Sequence, residues 1–507
     1  MEKRTLLAII LSILVIVIWS YLFPKKPAPR KTNEIEQTTV QKESPQEKKA
    51  EIPVTSIKEP ESKEGEDVIV DTALYRAVLS TKGGVITHWE LKKYKDKRGM
   101  PIVLLDTPEK VPPIGILLEG EARDIPQRLI YNTNTHQLVL SGNEESGEVE
   151  FFSDYQGLSI RKRFIFYNNL YKVDLSIETA NIPSYLLPIG TGFGIFNKKE
   201  RGHKGPVILI ESDRKEFDEK LKEEHFLTGN IRWIAQEDKY FTAAIVPVGR
   251  VEGASVWKDG FIPEIALKLK PTRNDLILYA GPKEYDTLKA LNIGLEHIIN
   301  FGWFSIVAMP LFWVLKFFYG FLGNYGWAII LLTIIVRIPF IPLMHKSQRA
   351  MKKMQALQPM MAEIKERYKK DPQRMQKELT ELYKKHKVNP VGGCLPMLLQ
   401  IPVFIALYNV LSNAIELRGA PFILWIKDLS EKDPYYILPV VMGVTMVIQQ
   451  KMTPSSMDPA QAKIMMFMPI VFTFLFLTFP SGLVLYWLIN NILSIIQQYY
   501  ANKNLST

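Results

Sequence analysis

One cysteine in 507 residues, Cys394, excludes any disulfide within the chain, so an exported part would have to hold together by packing alone. Histidine is nearly as scarce. His88, His136, His203 and His225 are scattered without metal-ligand spacing, and no metal site is expected. The phosphate-cradling pattern GxxxxGK[ST] does not occur, which removes nucleotide hydrolysis on a P-loop. Most telling is the lack of Asp and Glu inside the apolar segments predicted to span. A proton- or ion-coupled transporter would normally need an acidic relay there. An intramembrane protease fares no better, because no histidine lies within a span to serve Ser481 or Cys394 as a base. Ser481 reads as a turn residue and Cys394 as small-residue helix packing.

What the chain has in plenty is segregation. The net charge of +10 suggests nucleic acid at first, but much of the excess flanks apolar runs, where positive residues mark a cytoplasmic face. No alternation of basic and stacking aromatic residues supports a nucleic-acid module. Residues 1–23 place Lys3 and Arg4 before the run TLLAIILSILVIVIWSYLF, long enough to cross roughly 30 Å of hydrocarbon and followed by no small-residue cleavage site. This predicts a retained transmembrane anchor. Residues 24–66, rich in Pro, Lys, Glu, Ser, Thr and Gln, cannot bury a core and predict a flexible linker.

Over residues 67–290 the pattern changes to short alternating runs divided by turn residues: DVIVDTALYRAVLST, VITHWEL, PIVLLD, LSIRKRFIFYNNLYKVDLSIET and NDLILYAG. Period-two alternation broken by Gly83-Gly84 and Asn168-Asn169 predicts an antiparallel β-sandwich. Residues 295–322 are apolar and aromatic but hold Pro310 and Lys316, which favours an amphipathic helix in the membrane interface over a span.

Residues 324–500 predict a helical core with five spans, the first of them GWAIILLTIIVRIPFIPL. Arg337 sits inside that run, where a guanidinium costs roughly 3 kcal/mol or more at a helix centre. Thr333, four residues earlier, shares its helical face. Residues 344–390 form a polar, Met-rich hairpin of two amphipathic helices broken at Asp371-Pro372, with basic residues outnumbering acids by more than two to one. By the positive-inside rule this hairpin is cytoplasmic, which places the β-domain outside and both termini, including the short tail 501–507, inside. It suits capture of unfolded apolar segments or docking to ribosomal RNA, and equally a plain solvated hairpin. The remaining polar groups of the spans, among them Gln400, Asn409, Thr445, Asn490, Asn491 and Gln497, are neutral and read mainly as helix-to-helix glue.

The stretches TIIVRIPFIPL, VNPVGGCLPMLLQIPVFIALYNVL, DPYYILPVVMGVTMVIQQKM and FPSGLVLYWLINNILSIIQQ, with WIAQEDKYF and YAGPKEY in the β-region, resemble the YidC family of membrane protein insertases. The resemblance implies an inner-membrane protein of six transmembrane helices, with a five-helix insertase core and an all-β periplasmic sandwich. It further implies a hydrophilic groove open to cytoplasm and lipid. Groove positions carried over are Arg337, Thr333, Trp487 and either Gln449 or Gln450. Met397, Leu398, Phe404, Ile470, Phe472 and Phe474 correspond to an apolar slide. The implied function is non-enzymatic, with no catalytic residue, cofactor or small-molecule substrate. The implied partners are nascent membrane proteins, the ribosome, the Sec translocon and the lipid bilayer.

Overall fold

The computed structural model describes residues 60, 64–106, 110–197, 202–258, 262–388, 395–452 and 459–504, with the side chains of 121, 395–399, 459–465 and 501–504 excepted. The expected anchor, nearly all of the expected linker and the last three residues of the carboxyl-terminal tail lie outside these residues. From Asp67 onward the alternation becomes sheet. A nine-stranded sheet includes, side by side, the antiparallel strands Ser146–Tyr155, Leu158–Tyr167, Lys172–Ala180 and Asn274–Pro282, the last at its centre. It packs with a five-stranded and a four-stranded sheet around one core that includes Tyr75, Trp89, Phe164 and Trp233, all fully buried. Every in-phase residue of Leu158–Tyr167 points inward, Lys162 included. Among the described residues the one departure from antiparallel pairing is short: Asp67–Asp71 runs parallel to Gln137–Val139.

A four-residue turn, α1 (Ile125–Arg128), and α2 (Tyr285–Ala290) complete the β-domain. The chain then passes into α3 (Ser305–Leu322). Lys316, which interrupts the apolar pattern of α3, forms an ion pair with Asp286 of α2 and lies 5.6 Å from the Phe312 ring centroid. Its charge is thus answered by the β-domain.

Helix α4 (Tyr325–Arg337) is capped by Asn324, whose side chain accepts from Gly326 N at 2.9 Å and Trp327 N at 3.2 Å. Pro339 and Pro342 have no N–H to bond back into the helix, so α4 ends in a 3-10 turn, Ile338–Phe340, before α5 (Ile341–Ala356) resumes. The hairpin therefore has three helical pieces rather than two: α5, α6 (Gln358–Arg367) and α7 (Pro372–Lys385). A further proline, Pro359, opens α6, while Asp371 caps α7 by accepting from Arg374 N at 3.1 Å. Met354, Leu357, Met361 and Val388 bury one another here, which consumes part of the Met-rich face. Met360 remains about half exposed.

Four further helices follow: α8 (Leu395–Asn413), α9 (Ile437–Met452), α10 (Pro459–Phe476) and α11 (Ser481–Asn504). Among the described residues, Gly302–Leu322 and Tyr325–Ala356 are long and apolar enough to cross a membrane, and Ile437–Met452 and Met466–Phe476 are shorter apolar helices. Asn409, Asn491 and Thr445 behave as the glue expected of them, and Gln498, which was not among those expectations, does the same. Asn409 Nδ2 donates to Phe301 O at 2.7 Å, Asn491 Nδ2 to Thr445 Oγ1 at 3.2 Å, and Gln498 Nε2 to Met452 O at 2.9 Å.

Between α8 and α9, Glu416 meets the β-domain, accepting from Tyr285 N at 3.4 Å. Burial pushes its pKa up to about 7, with Glu284 raising it and Lys316 opposing; Tyr94 and Tyr325 also face it. Between the ordinary carboxylate range and about pH 7 the folded chain keeps a proton that the unfolded chain has released, so stability falls as pH rises through that window. Glu416→Gln keeps an acceptor for Tyr285 without the charge. The detergent-solubilised wild type should lose a few degrees of apparent melting temperature between pH 5 and 8 relative to this variant, on the order of 2–4 °C per kcal/mol. Parallel pH dependence in both proteins would refute the assignment.

Candidate functional site

Arg337 has partners on one face of α11. Arg337 Nη1 donates to Asn490 O at 3.1 Å and also to Asn490 Oδ1, and Nη2 donates to Ser494 Oγ at 2.7 Å and Gln497 Oε1 at 3.4 Å. Asn490, Ser494 and Gln497 are spaced four and three apart, so a single stripe of α11 faces α4. Ser494 in turn bonds back to Asn490 O at 2.8 Å. None of these acceptors is charged. The guanidinium is well hydrogen-bonded yet meets no carboxylate among the described residues, which distinguishes it from a buried ion pair.

Thr333 does not join this network. It is 2% exposed and its hydroxyl donates to Ile329 O at 2.7 Å, one turn back in its own helix. Trp487, one turn before Asn490 on α11, packs edge-on to Phe404 with ring centroids 4.9 Å apart and also meets Phe472 and Phe476. Its indole N–H is buried without a hydrogen-bond partner among the described residues, as is Gln497 Nε2. These are unspent donors in an otherwise satisfied region. Gln449 and Gln450 are half-buried in the last turns of α9. Gln400 hydrogen-bonds the buried Tyr486 hydroxyl beside Arg337.

The residues expected to form an apolar slide divide into two sets. Phe404 and Phe472 turn inward onto Trp487, whereas Ile470 and Phe474 are 52% and 68% exposed on α10. Met397 and Leu398 belong to α8 where side chains are outside the described residues. Asn490 and Gln497, expected as glue, and Ser494, for which the sequence raises no expectation, are the partners of Arg337. The signal that could have found all three is their common stripe on the helix that follows FPSG. No group of three or more His, Cys, Asp or Glu side chains is placed to hold a metal among the described residues.

Apolar helices, two of them among the described residues long enough to cross a membrane, joined to a large all-β domain define the class of a membrane protein with a large extramembrane β-domain. Comparison with known proteins gives the family. Residues 317–507 match the family model described as 60Kd inner membrane protein, and residues 67–314 match the YidC periplasmic domain. A relative from Syntrophus aciditrophicus, named membrane protein insertase YidC, is 41% identical over 545 residues, covering 99% of this chain and 100% of its own. Its namesake from Geotalea daltonii is 43% identical over 539 residues, covering 100% of each chain. A solved active YidC insertase with its first transmembrane domain resolved is 22% identical, with a TM-score of 0.40, covering 86% of this chain and 93% of that one. The chain belongs to the YidC family of membrane protein insertases.

Proposed function

We propose that this protein inserts newly made inner-membrane proteins through a hydrated groove between α4 and α11, with Arg337 as its fixed positive charge. The observation that carries the reading is the neutral cradle of Asn490, Ser494 and Gln497, which orients the guanidinium without cancelling its charge. An acidic or polar segment of a client is drawn towards it, and the donors of Trp487 and Gln497 are available to that segment's carbonyls. Helix α9, at 16 residues, spans only about 24 Å, so the bilayer beside it thins and the remaining path shortens. Burial of the client's apolar span, at roughly 25 cal/mol per Å², drives its release into lipid. No nucleotide takes part, which fits the lack of a P-loop.

In this reading the exposed Ile470 and Phe474 form the outer part of the slide, while Thr333, Gln449 and Gln450 shape the groove wall. Helix α3 lies in the interface, its Lys316 turned to the β-domain. The hairpin 344–390 faces the cytoplasm and meets the ribosome, the β-domain faces the periplasm, and the Sec translocon is a partner for some clients. Single cysteines in a Cys394→Ser background test the groove. Trp487→Cys should react with a membrane-impermeant thiol reagent added from the cytoplasmic side, while Val444→Cys, on an exposed face of α9, should not. An unreactive Trp487→Cys would remove the hydrated groove.

A further inference from the structure

The segment 414–436 between α8 and α9 is stitched to the starts of α4 and α11. Asn324, the cap of α4, donates to Pro421 O at 3.3 Å and Phe422 O at 3.1 Å. At the start of α11, Ser481 Oγ donates to Asp428 O at 3.0 Å and Glu431 O at 2.5 Å, and Gly482 N to Leu429 O at 2.9 Å. Leu429 beneath it is fully buried, and a Cβ on Gly326 would fall 1.9 Å from the Phe422 ring. The segment is a cap over the end of the bundle that faces the β-domain.

Several side chains tie this cap to the β-domain: Glu416 accepts from Tyr285 N, Glu431 pairs with Lys97 at 2.9 Å, and Arg418 makes the most contacts. Arg418 Nη2 donates to Lys95 O at 3.0 Å, and its guanidinium lies 5.8 Å from the Tyr240 ring centroid and 5.5 Å from that of Phe241. Those rings are not free to drift. Asp238 accepts four backbone N–H bonds, from Tyr240, Phe241, Phe196 and Asn197, at 2.8–3.1 Å, which fixes the turn that presents them. The neighbouring Ile415 is buried in the β-domain's own core. Thus the stretch 233–241, whose sequence WIAQEDKYF has no part in the groove, ends in a socket for one arginine of the cap.

We propose that the β-domain is the outer clamp of the helix bundle and that Arg418 is its latch. By holding the cap down, the socket keeps the groove shut on the outer side while a client enters from within. This goes beyond the groove reading, and its readout lies on the opposite side of the membrane. A Leu429→Cys reporter in the full-length Cys394→Ser protein, treated with impermeant thiol reagent from the outer side, measures cap opening. The reporter should stay protected with Arg418 in place. Arg418→Ala and, from the other partner, Tyr240→Ala should each raise its labelling rate tenfold or more. Arg418→Lys, which keeps the cation but not the fork, should give an intermediate rate. An unchanged rate in both alanine variants overturns the latch. So does an equal rise at a Leu278→Cys reporter in the β-domain core, which would mean general unfolding.

Discussion

Reversing the charge at Arg337 should cut insertion of clients with acidic translocated segments by about tenfold or more, whereas Arg337→Lys should stay within roughly threefold of wild type. The asymmetry follows from the cradle. Arg337→Lys keeps the positive charge and can still donate to Asn490 and Ser494, losing only the two-pronged geometry. Arg337→Glu presents a carboxylate to Asn490 O and Ser494 Oγ and turns attraction for an acidic client into repulsion of similar size. Two charges about 6 Å apart at an effective dielectric near 20 interact by roughly 3 kcal/mol, and even heavy screening by water leaves a tenfold effect. Clients without acidic residues in the translocated part should lose much less. Insertion into vesicles reconstituted with each variant, using matched clients that differ only in those acids, gives the measurement. Equal activity of both variants on the acidic client would sink the electrostatic mechanism and leave Arg337 as a structural residue.

How far this site was legible depends on the range of the contacts. The cost of one guanidinium in an apolar run is a local property, so Arg337 stood out from its neighbours alone. Its partners lie more than 150 residues away on α11, and searching for a carboxylate led past neutral acceptors that satisfy the donors equally well. Thr333 shows the converse. Helical spacing put it on the face of Arg337, yet its hydroxyl is spent on its own backbone, a choice that spacing does not reveal. The β-strands around 67–106, 158–180 and 274–282 were readable because alternation reports directly which face is buried. The break of the hairpin at Leu357 was not, because Pro359 lies only two residues further within an otherwise continuous helical pattern. Arg418 was invisible in sequence for a simpler reason: it acts only through Lys95, Tyr240 and Phe241, which the fold alone brings to it.

Lys162→Met should be among the most damaging single changes to the β-domain, although no part of the proposed mechanism touches it. The alternation of LSIRKRFIFY puts Lys162 in phase with Leu158, Ile160, Phe164 and Phe166, and its side chain is fully buried. The ammonium donates to Gly83 O at 2.8 Å, Gly84 O at 3.0 Å and Ile114 O at 2.7 Å. Burial pushes its pKa down to about 7, while three carbonyl acceptors match the three N–H bonds of an ammonium, and hydrogen bonds to the charged form favour it. All three acceptor residues have positive φ, at 79°, 55° and 63°, and for the β-branched Ile114 that conformation is strained. Lys162 therefore pins two loops whose backbones would otherwise relax. Met fills the same space but leaves three buried carbonyls without a donor, at about 1 kcal/mol or more each. A loss of about 3 kcal/mol corresponds to roughly 6–12 °C in apparent melting temperature for a domain of this size. Arg161→Met, one residue away on the exposed face of the same strand, should shift it by no more than about 1 °C. Thermal unfolding of the two variants side by side decides the matter: similar small shifts would mean that the loops hold themselves and that Lys162 is merely tolerated in the core.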